Sequence, residues 1–239
     1  SMSLGGGGNP DDIVSTAVDN AVEAGVIAVI AAGNSGPWPN TIGSPGTSRK
    51  AITVGATFDK TYEDEFVFSD CFEGNPDENK VSCFSSRGPV EWLGGKVLKP
   101  DVVAPGVETC AAQWDTAYGI DDDYDNLDRP DKHRCIDDNH MTISGTSMAT
   151  PIVAGAIALL RQAHPDWSVE EIKLAVKNSA VDLGLERDIQ GSGRLNILNA
   201  IQLSRPPIAT IITDGTYPST LNLDIIGSAS SENSVDYTL

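Results

Sequence analysis

The stretch Met141–Pro165, "MTISGTSMATPIVAGAIALLRQAHP", decides the reading of this chain. A run rich in glycine and hydroxyl residues passes straight into an apolar helix, although small polar residues dilute a core. The junction therefore asks for bare backbone and an exposed oxygen. Ser147 sits where loop becomes helix, and a helix N-terminus offers unpaired N–H groups and the positive end of a dipole, both favouring developing negative charge. Gly145 admits close backbone approach, and Pro151 falls early in the helix, where its missing N–H costs little. The bland alternative is that Ser144, Thr146 and Ser147 only cap the helix.

A second stretch shifts the balance. "VIAVIAAGN", Val26–Asn34, has no polar alternation, as expected of a strand buried on both faces of a parallel sheet. It ends in "AAGNSG", placing Asn34 at the carboxyl edge where α/β sheets locate their sites. Alone, Asn34 reads as a turn residue. Beside a serine at a helix start, its amide completes a nucleophile and an oxyanion donor.

The surrounding pattern is α/β. "PDDIVSTAVDNAVEAGV" predicts an amphipathic helix on Ile13, Val14, Ala17, Val18, Ala21 and Val22, opened by acidic residues and closed by Gly25. "AITVGAT" and "DVVAPG" read as further buried strands. A helix is predicted from Thr150 to Ala163, ended by His164-Pro165. Ser168 with Glu171 forms a capping box opening another, through about Ser179. This alternation predicts helices on both faces of a sheet. Past "LSRPPIAT" the composition turns to Thr, Ile, Asp and Ser, and "TLNLDIIG" alternates at period two. Residues 1–204 are accordingly read as one domain, and 205–239 as a linker with the first strands of a β-sandwich-like module.

These motifs resemble the subtilisin-like serine peptidases, the subtilases. "SGTSMATPIVAG" is similar to the family's nucleophile motif, "AAGNSG" to its oxyanion-asparagine motif, and "SLGG" (Ser3–Gly6) to its substrate-binding strand. "IGSPGTSRKAITVGAT", "FSSRGP", "KPDVVAPG" and "GSGRLNILNAI" match later landmarks in the same order, so the resemblance spans Ser1 to about Leu203. It implies a three-layer subtilisin-like fold with a parallel sheet, incomplete at its N-terminus. Catalytic roles fall to Ser147 as nucleophile and Asn34 as oxyanion donor, with the Ser147 backbone N–H as second donor. Ser3, Leu4 and Gly5 would pair with substrate backbone as an added strand. Ala32, Gly33 and Gly43 would border the S1 pocket, which Gly43 leaves deep enough for a bulky apolar side chain. Pro45 matches a position that the family often holds in cis. Ile152 departs from the His of many relatives, within the helix and away from the catalytic base.

A serine hydroxyl needs a base steered by a carboxylate, and the family's Asp and His motifs are both missing here. His164 lies at the far end of its helix from Ser147, about 25 Å away at 1.5 Å per residue. His133 and His140 belong to the acidic insertion 119–140 or its exit. The preferred reading is the C-terminal part of a subtilase catalytic domain, partnered by an N-terminal part that carries the Asp and His. The expected function is a secreted serine endopeptidase acting on peptide or protein substrates, this chain alone being inactive. The alternative is a subtilase-like binding or structural module without activity. A lipase-like α/β hydrolase is disfavoured because those use G-x-S-x-G, whereas Ser147 lies in G-T-S-M-A.

Composition narrows the partners. Thirty-four acidic against 16 basic residues give a formal charge of -18 over 239 residues, a field that repels nucleic acid. No apolar run reaches the roughly 20 residues of a membrane span. Cys71, Cys83, Cys110 and Cys135 admit three pairings; Cys71–Cys83 with Cys110–Cys135 is preferred because each closes a local loop, in keeping with an oxidising, extracellular location. The chemistry requires no cofactor. Subtilases commonly bind structural calcium, and Asp121, Asp123 and Asp125 offer a D-x-D-x-D spacing. That loop lacks the glycine and closing glutamate of an EF-hand, so a solvated acidic loop is the preferred reading. Backbone carbonyls around Gly46 and Ser48 match a weaker family cation site.

Overall fold

A computed structural model describes residues 1–58, 81–112, 140–206, 208–212 and 226–230. The chain opens as an extended segment, Ser1–Leu4, then forms α1 (Ile13–Glu23), β1 (Val29–Ala31) and β2 (Ile52–Thr57). A hairpin of β3 (Val90–Trp92) and β4 (Gly95–Val97) precedes β5 (Val102–Pro105). A second hairpin pairs β6 (Thr109–Ala112) with β7 (His140–Ile143) and leads into α2 (Thr146–Ala163). There follow α3 (Val169–Asn178), α4 (Arg187–Gln190) and α5 (Ile197–Gln202), then β8 (Ile208–Ile212) and β9 (Ile226–Ser230), which pair antiparallel.

The sheet is parallel, in the order β1-β2-β5, with Val29 opposite Ile52 and Val54 opposite Val102. Met2 extends it beyond β1, donating to Val29 O and accepting from Ala31 N. Side-chain alternation sorts the core into two layers. Val29, Ile52, Val54 and Val102 pack against α2, α3 and α5, through Val153, Leu160, Ile172 and Ala200. Ile30 on the opposite face packs with Val18 of α1. Helices thus cover both faces, the three layers expected of an α/β domain.

Two elements differ from expectation. The helix expected from Thr150 begins at Thr146, so Ser147 lies within its first turn. In α1 the apolar stripe is only partly inward: Val18 is buried, but Ile13 is 88% exposed and Val14 47%. The inward face instead carries Ser15 and Asp19. Ser15 bonds the Thr47 hydroxyl (2.8 Å), and Asp19 accepts from the Ser48 hydroxyl (2.5 Å) and Lys50 N (2.9 Å). A polar loop, Ser44–Lys50, lies beneath the helix, so matching hydroxyls and a carboxylate satisfy it better than a valine would.

Beneath the sheet lies a buried charge cluster. Asp101 accepts from Lys99 Nζ (2.6 Å), Lys177 Nζ (3.3 Å) and Thr53 N (2.9 Å). Burial pushes the fully buried Lys99 ammonium down to about 8, against the pull of Asp101. Burial would raise the Asp101 carboxyl, but Lys99, Lys173 and Lys177 outweigh it and hold it well below the usual range. Lys173 Nζ donates to the carbonyls of Arg49, Lys50 and Ala51. The Gly46 carbonyl accepts from the Thr53 hydroxyl (2.7 Å). The Gly46, Arg49 and Lys50 carbonyls of this loop are thus engaged by the protein's own donors.

Ser44–Pro45 is a cis peptide bond, as is expected for that position. The capping box forms as read: Ser168 accepts from Glu171 N, and Glu171 from Ser168 N. Cys83 and Cys110 are both disulfide-bonded; the partners expected for them, Cys71 and Cys135, lie outside the described residues. No helix among the described residues is long and apolar enough to cross a membrane.

Candidate active site

The end of β1 and the start of α2 meet at the carboxyl edge of the sheet. Gly33 carries φ +105°, and a Cβ there would stand 2.9 Å from Ser86 Oγ, so both conformation and space demand glycine. The turn it makes presents Asn34 to the helix start. Asn34 Oδ1 accepts from Thr146 N (2.9 Å) and from Thr146 Oγ1 (2.9 Å). Thr146 Oγ1 in turn accepts from Gly33 N (3.2 Å). Gly145 precedes the helix and supplies no side-chain cap, so Asn34 caps α2 from 112 residues away.

The consequence is chemical. With Oδ1 committed to two donors on Thr146, the amide group is oriented, and its other end, Nδ2–H, is the part left to donate. Ser147 follows in the first turn, where its backbone N–H belongs to the unpaired set of a helix start. Both residues line one open cleft of about 480 Å³.

One wall of that cleft is the glycine-rich segment Ser3–Gly8; the other is Asn40–Gly43. The walls join at their base, where Gly6 and Ser44 exchange backbone hydrogen bonds (3.2 and 2.9 Å). They approach so closely that a Cβ on Gly43 would lie 3.3 Å from Gly6 O. Ser3 Oγ reaches the Ser147 carbonyl at 3.4 Å. Ala31 and Gly33 face the cleft, while Ala32 between them is fully buried and packs with Ile42 and Val90 behind it. The described lining includes no charged side chain.

The structure thus brings Ser147, Asn34, Ser3, Leu4, Gly5, Gly33 and Gly43 to one cleft. Thr146 is the residue that sequence reasoning passed over. Its hydroxyl was weighed only as a cap for its own helix, whereas it bridges Gly33 and Asn34. The signal lay in the order of residues: a threonine immediately before the candidate nucleophile, at a glycine-preceded helix start.

The histidines lie elsewhere. His164 caps the far end of α2, stacks on Trp167 at 3.8 Å and contacts the Ile201 carbonyl through Nε2 (2.9 Å). His140 belongs to β7, opposite Ala112. His133 and the acidic triplet Asp121, Asp123 and Asp125 lie outside the described residues. Among the described residues no cluster of three or more His, Cys, Asp or Glu is arranged to hold a metal.

The model of the Subtilase family matches residues 1–197. The chain is 38% identical over 208 residues to serine protease AprX of Bacillus subtilis, covering 84% of this chain and 42% of AprX. It is 27% identical to the minor extracellular protease Vpr of the same organism, covering 90% of this chain and 39% of Vpr. The fold is similar to that of fervidolysin from Fervidobacterium pennivorans, described as a keratinolytic enzyme related to subtilisin. There the TM-score is 0.55 at 26% identity, over 84% of this chain and 27% of fervidolysin. The chain therefore spans about two fifths of the length of these two curated relatives.

Proposed function

The chain belongs to the subtilase family, and from that premise we propose that it carries the nucleophile, oxyanion hole and substrate cleft of a secreted serine endopeptidase. The Asp and His of the triad come from an N-terminal part not included in this chain. The observation that carries the reading is the anchoring of Asn34 by Thr146, one residue from Ser147 and in the same cleft. A helix cap could be supplied locally by a side chain at residue 145. Placing an asparagine from another element there yields something a local cap does not, namely an amide N–H held beside the serine.

In the proposed reaction Ser147 Oγ attacks the scissile carbonyl as the histidine of the N-terminal part takes its proton. The carbonyl oxygen gains negative charge and is held by Asn34 Nδ2–H and the Ser147 backbone N–H. The histidine returns the proton to the leaving amine, and water then hydrolyses the acyl-enzyme by the same steps. Substrate backbone pairs with Ser3–Gly5 as an added strand. The uncharged cleft beside Gly43 receives a bulky apolar side chain. Residues 205–239 contribute a linker and the first strands of a β-sandwich-like module. Secretion is supported by the disulfide-bonded cysteines and the extracellular relative Vpr.

The test is covalent labelling of the complete protease with a fluorophosphonate, followed by peptide mapping. Label on Ser147, lost in Ser147→Ala with the fold retained, is the expected result. An unlabelled wild-type protein that still binds peptides would establish the alternative, an inactive subtilase-like module.

A further inference from the structure

The β3–β4 hairpin lies outside the main sheet, yet it touches both walls of the cleft. On one side Val90 clusters with Ala32 and Ile42, a lining residue, and Trp92 and Val97 pack against that cluster. The Glu91 N–H donates to Asn40 Oδ1 (3.1 Å), and Asn40 N donates to the Gly88 carbonyl (3.2 Å). These bonds hold Asn40, which lines the cleft in a left-handed conformation at φ 58°.

On the other side Trp92 Nε1–H donates to Asp11 Oδ2 (2.6 Å). Arg49 lies over the Trp92 ring, 5.0 Å from its centroid, ion-pairs with Asp11 and donates to the Pro10 carbonyl (2.8 Å). Pro10 and Asp11 continue the glycine-rich wall. At Gly5, Gly6 and Gly7 a Cβ would meet nothing within 4 Å, whereas Gly8 is packed closely on Asp12 and Ser44. The Gly5–Gly7 stretch is therefore held from its two ends. The Gly6–Ser44 bridge fixes its base, and the indole fixes its continuation.

We infer that Trp92 is a positioning residue that sets the width of the pocket receiving the substrate side chain, by tying the Gly5–Asp11 wall to the Asn40–Gly43 wall. The inference rests on the peptidase reading and deepens it. Trp92 touches neither the serine nor the oxyanion donor, so its effect falls on side-chain selection and leaves bond-making alone. Apolar pockets discriminate one methylene by about 10–200-fold. A wall freed to move by a few tenths of an ångström loses part of that range.

The experiment uses the complete protease and paired peptide substrates differing only in Phe or Ala at the cleaved residue. Trp92→Phe keeps an aromatic ring beside the Ala32–Ile42–Val90 cluster and removes the indole N–H; Asp11→Ala removes the acceptor, and with it the ion pair to Arg49, from an exposed position. Each is expected to lower the Phe/Ala ratio of kcat/KM by about 3–10-fold through KM, while fluorophosphonate labelling of Ser147 keeps its rate. The double variant should fall no further than Asp11→Ala alone, because that variant has already lost the Trp92–Asp11 hydrogen bond along with the Arg49 ion pair. Asp11→Asn, which retains an acceptor oxygen, should recover part of the ratio. A ratio within twofold of wild type in both single variants, or an equal kcat loss on both substrates, overturns the inference and leaves the peptidase reading intact. A wild-type protease that cleaves neither peptide overturns both.

Discussion

Replacing Thr146 by valine isolates the anchoring of the oxyanion donor. The two side chains are nearly equal in volume, so the buried site at the head of α2 keeps its packing while losing one oxygen. That oxygen makes two hydrogen bonds, to Asn34 Oδ1 at 2.9 Å and from Gly33 N at 3.2 Å. Each such neutral bond contributes about 1 kcal/mol net. The variant is therefore about 2 kcal/mol less stable, with the Gly33 N–H left without its acceptor. The effect on catalysis is smaller, because the bond from Thr146 N still holds Asn34 Oδ1. Loosening the amide by about 1 kcal/mol corresponds to a loss in kcat of about fivefold, with KM unchanged. Complete removal of the proposed donor, as in Asn34→Leu, costs about 3–4 kcal/mol, a magnitude established on a member of this same family. The assay is steady-state hydrolysis of a chromogenic peptide by the complete protease, with wild type, Thr146→Val, Thr146→Ser and Asn34→Leu in parallel. Thr146→Ser retains the hydroxyl and should recover most of the rate. A Thr146→Val enzyme with wild-type kcat, or a serine variant as impaired as the valine one, refutes the anchoring argument.

Three further outcomes are expected. Asp101→Asn leaves Lys99, Lys173 and Lys177 without their shared counter-charge and should destabilise the protein by about 3–5 kcal/mol in chemical denaturation. Lys99→Met should cost clearly less, because Asp101 keeps Lys177 and Thr53 N; equal losses would contradict the cluster as drawn. The Glu171 carboxyl is lowered from 4.5 to about 2, first by its bond to Arg205 and then, against burial, by the Ser168 N–H. Its stabilisation is complete above pH 4.5 and disappears as pH falls towards 2, so the stability gap between wild type and Glu171→Gln should close across that interval. A gap independent of pH would show that the carboxylate charge is not what matters there. Gly33→Ala should lower kcat together with thermal stability, since the left-handed backbone and the Ser86 hydroxyl both oppose a Cβ; an unaffected melting temperature would sink that expectation.

What the sequence disclosed was whatever is encoded locally or by periodicity. The buried strand at Val29–Ala31 read as an apolar run without polar alternation, and those at Ile52–Thr57 and Val102–Pro105 as short buried strands, because both faces of a parallel sheet are covered. The Ser168–Glu171 box closes within four residues and needs no tertiary context. The hairpin at Val90–Val97 went unread because each strand is only three residues long, although "WLGGK" between β-formers is a turn signal. The β6–β7 pair was hidden by the intervening acidic insertion, which separates its partners by 27 residues. In α1 periodicity found only part of the inward face: Val18 and Val22 pack inward, but Ile13 and Val14 are exposed, because a polar loop lies beneath that helix. Thr146 was invisible for a similar reason: its partners, Gly33 and Asn34, adjoin it only after the sheet has closed.

That last separation has a biological corollary. A nascent or partly denatured chain already contains the serine, but the amide that would stabilise its reaction is not yet alongside. On the peptidase reading proposed above, full stabilisation of the oxyanion therefore follows closure of the sheet, which brings Asn34 to the head of the helix.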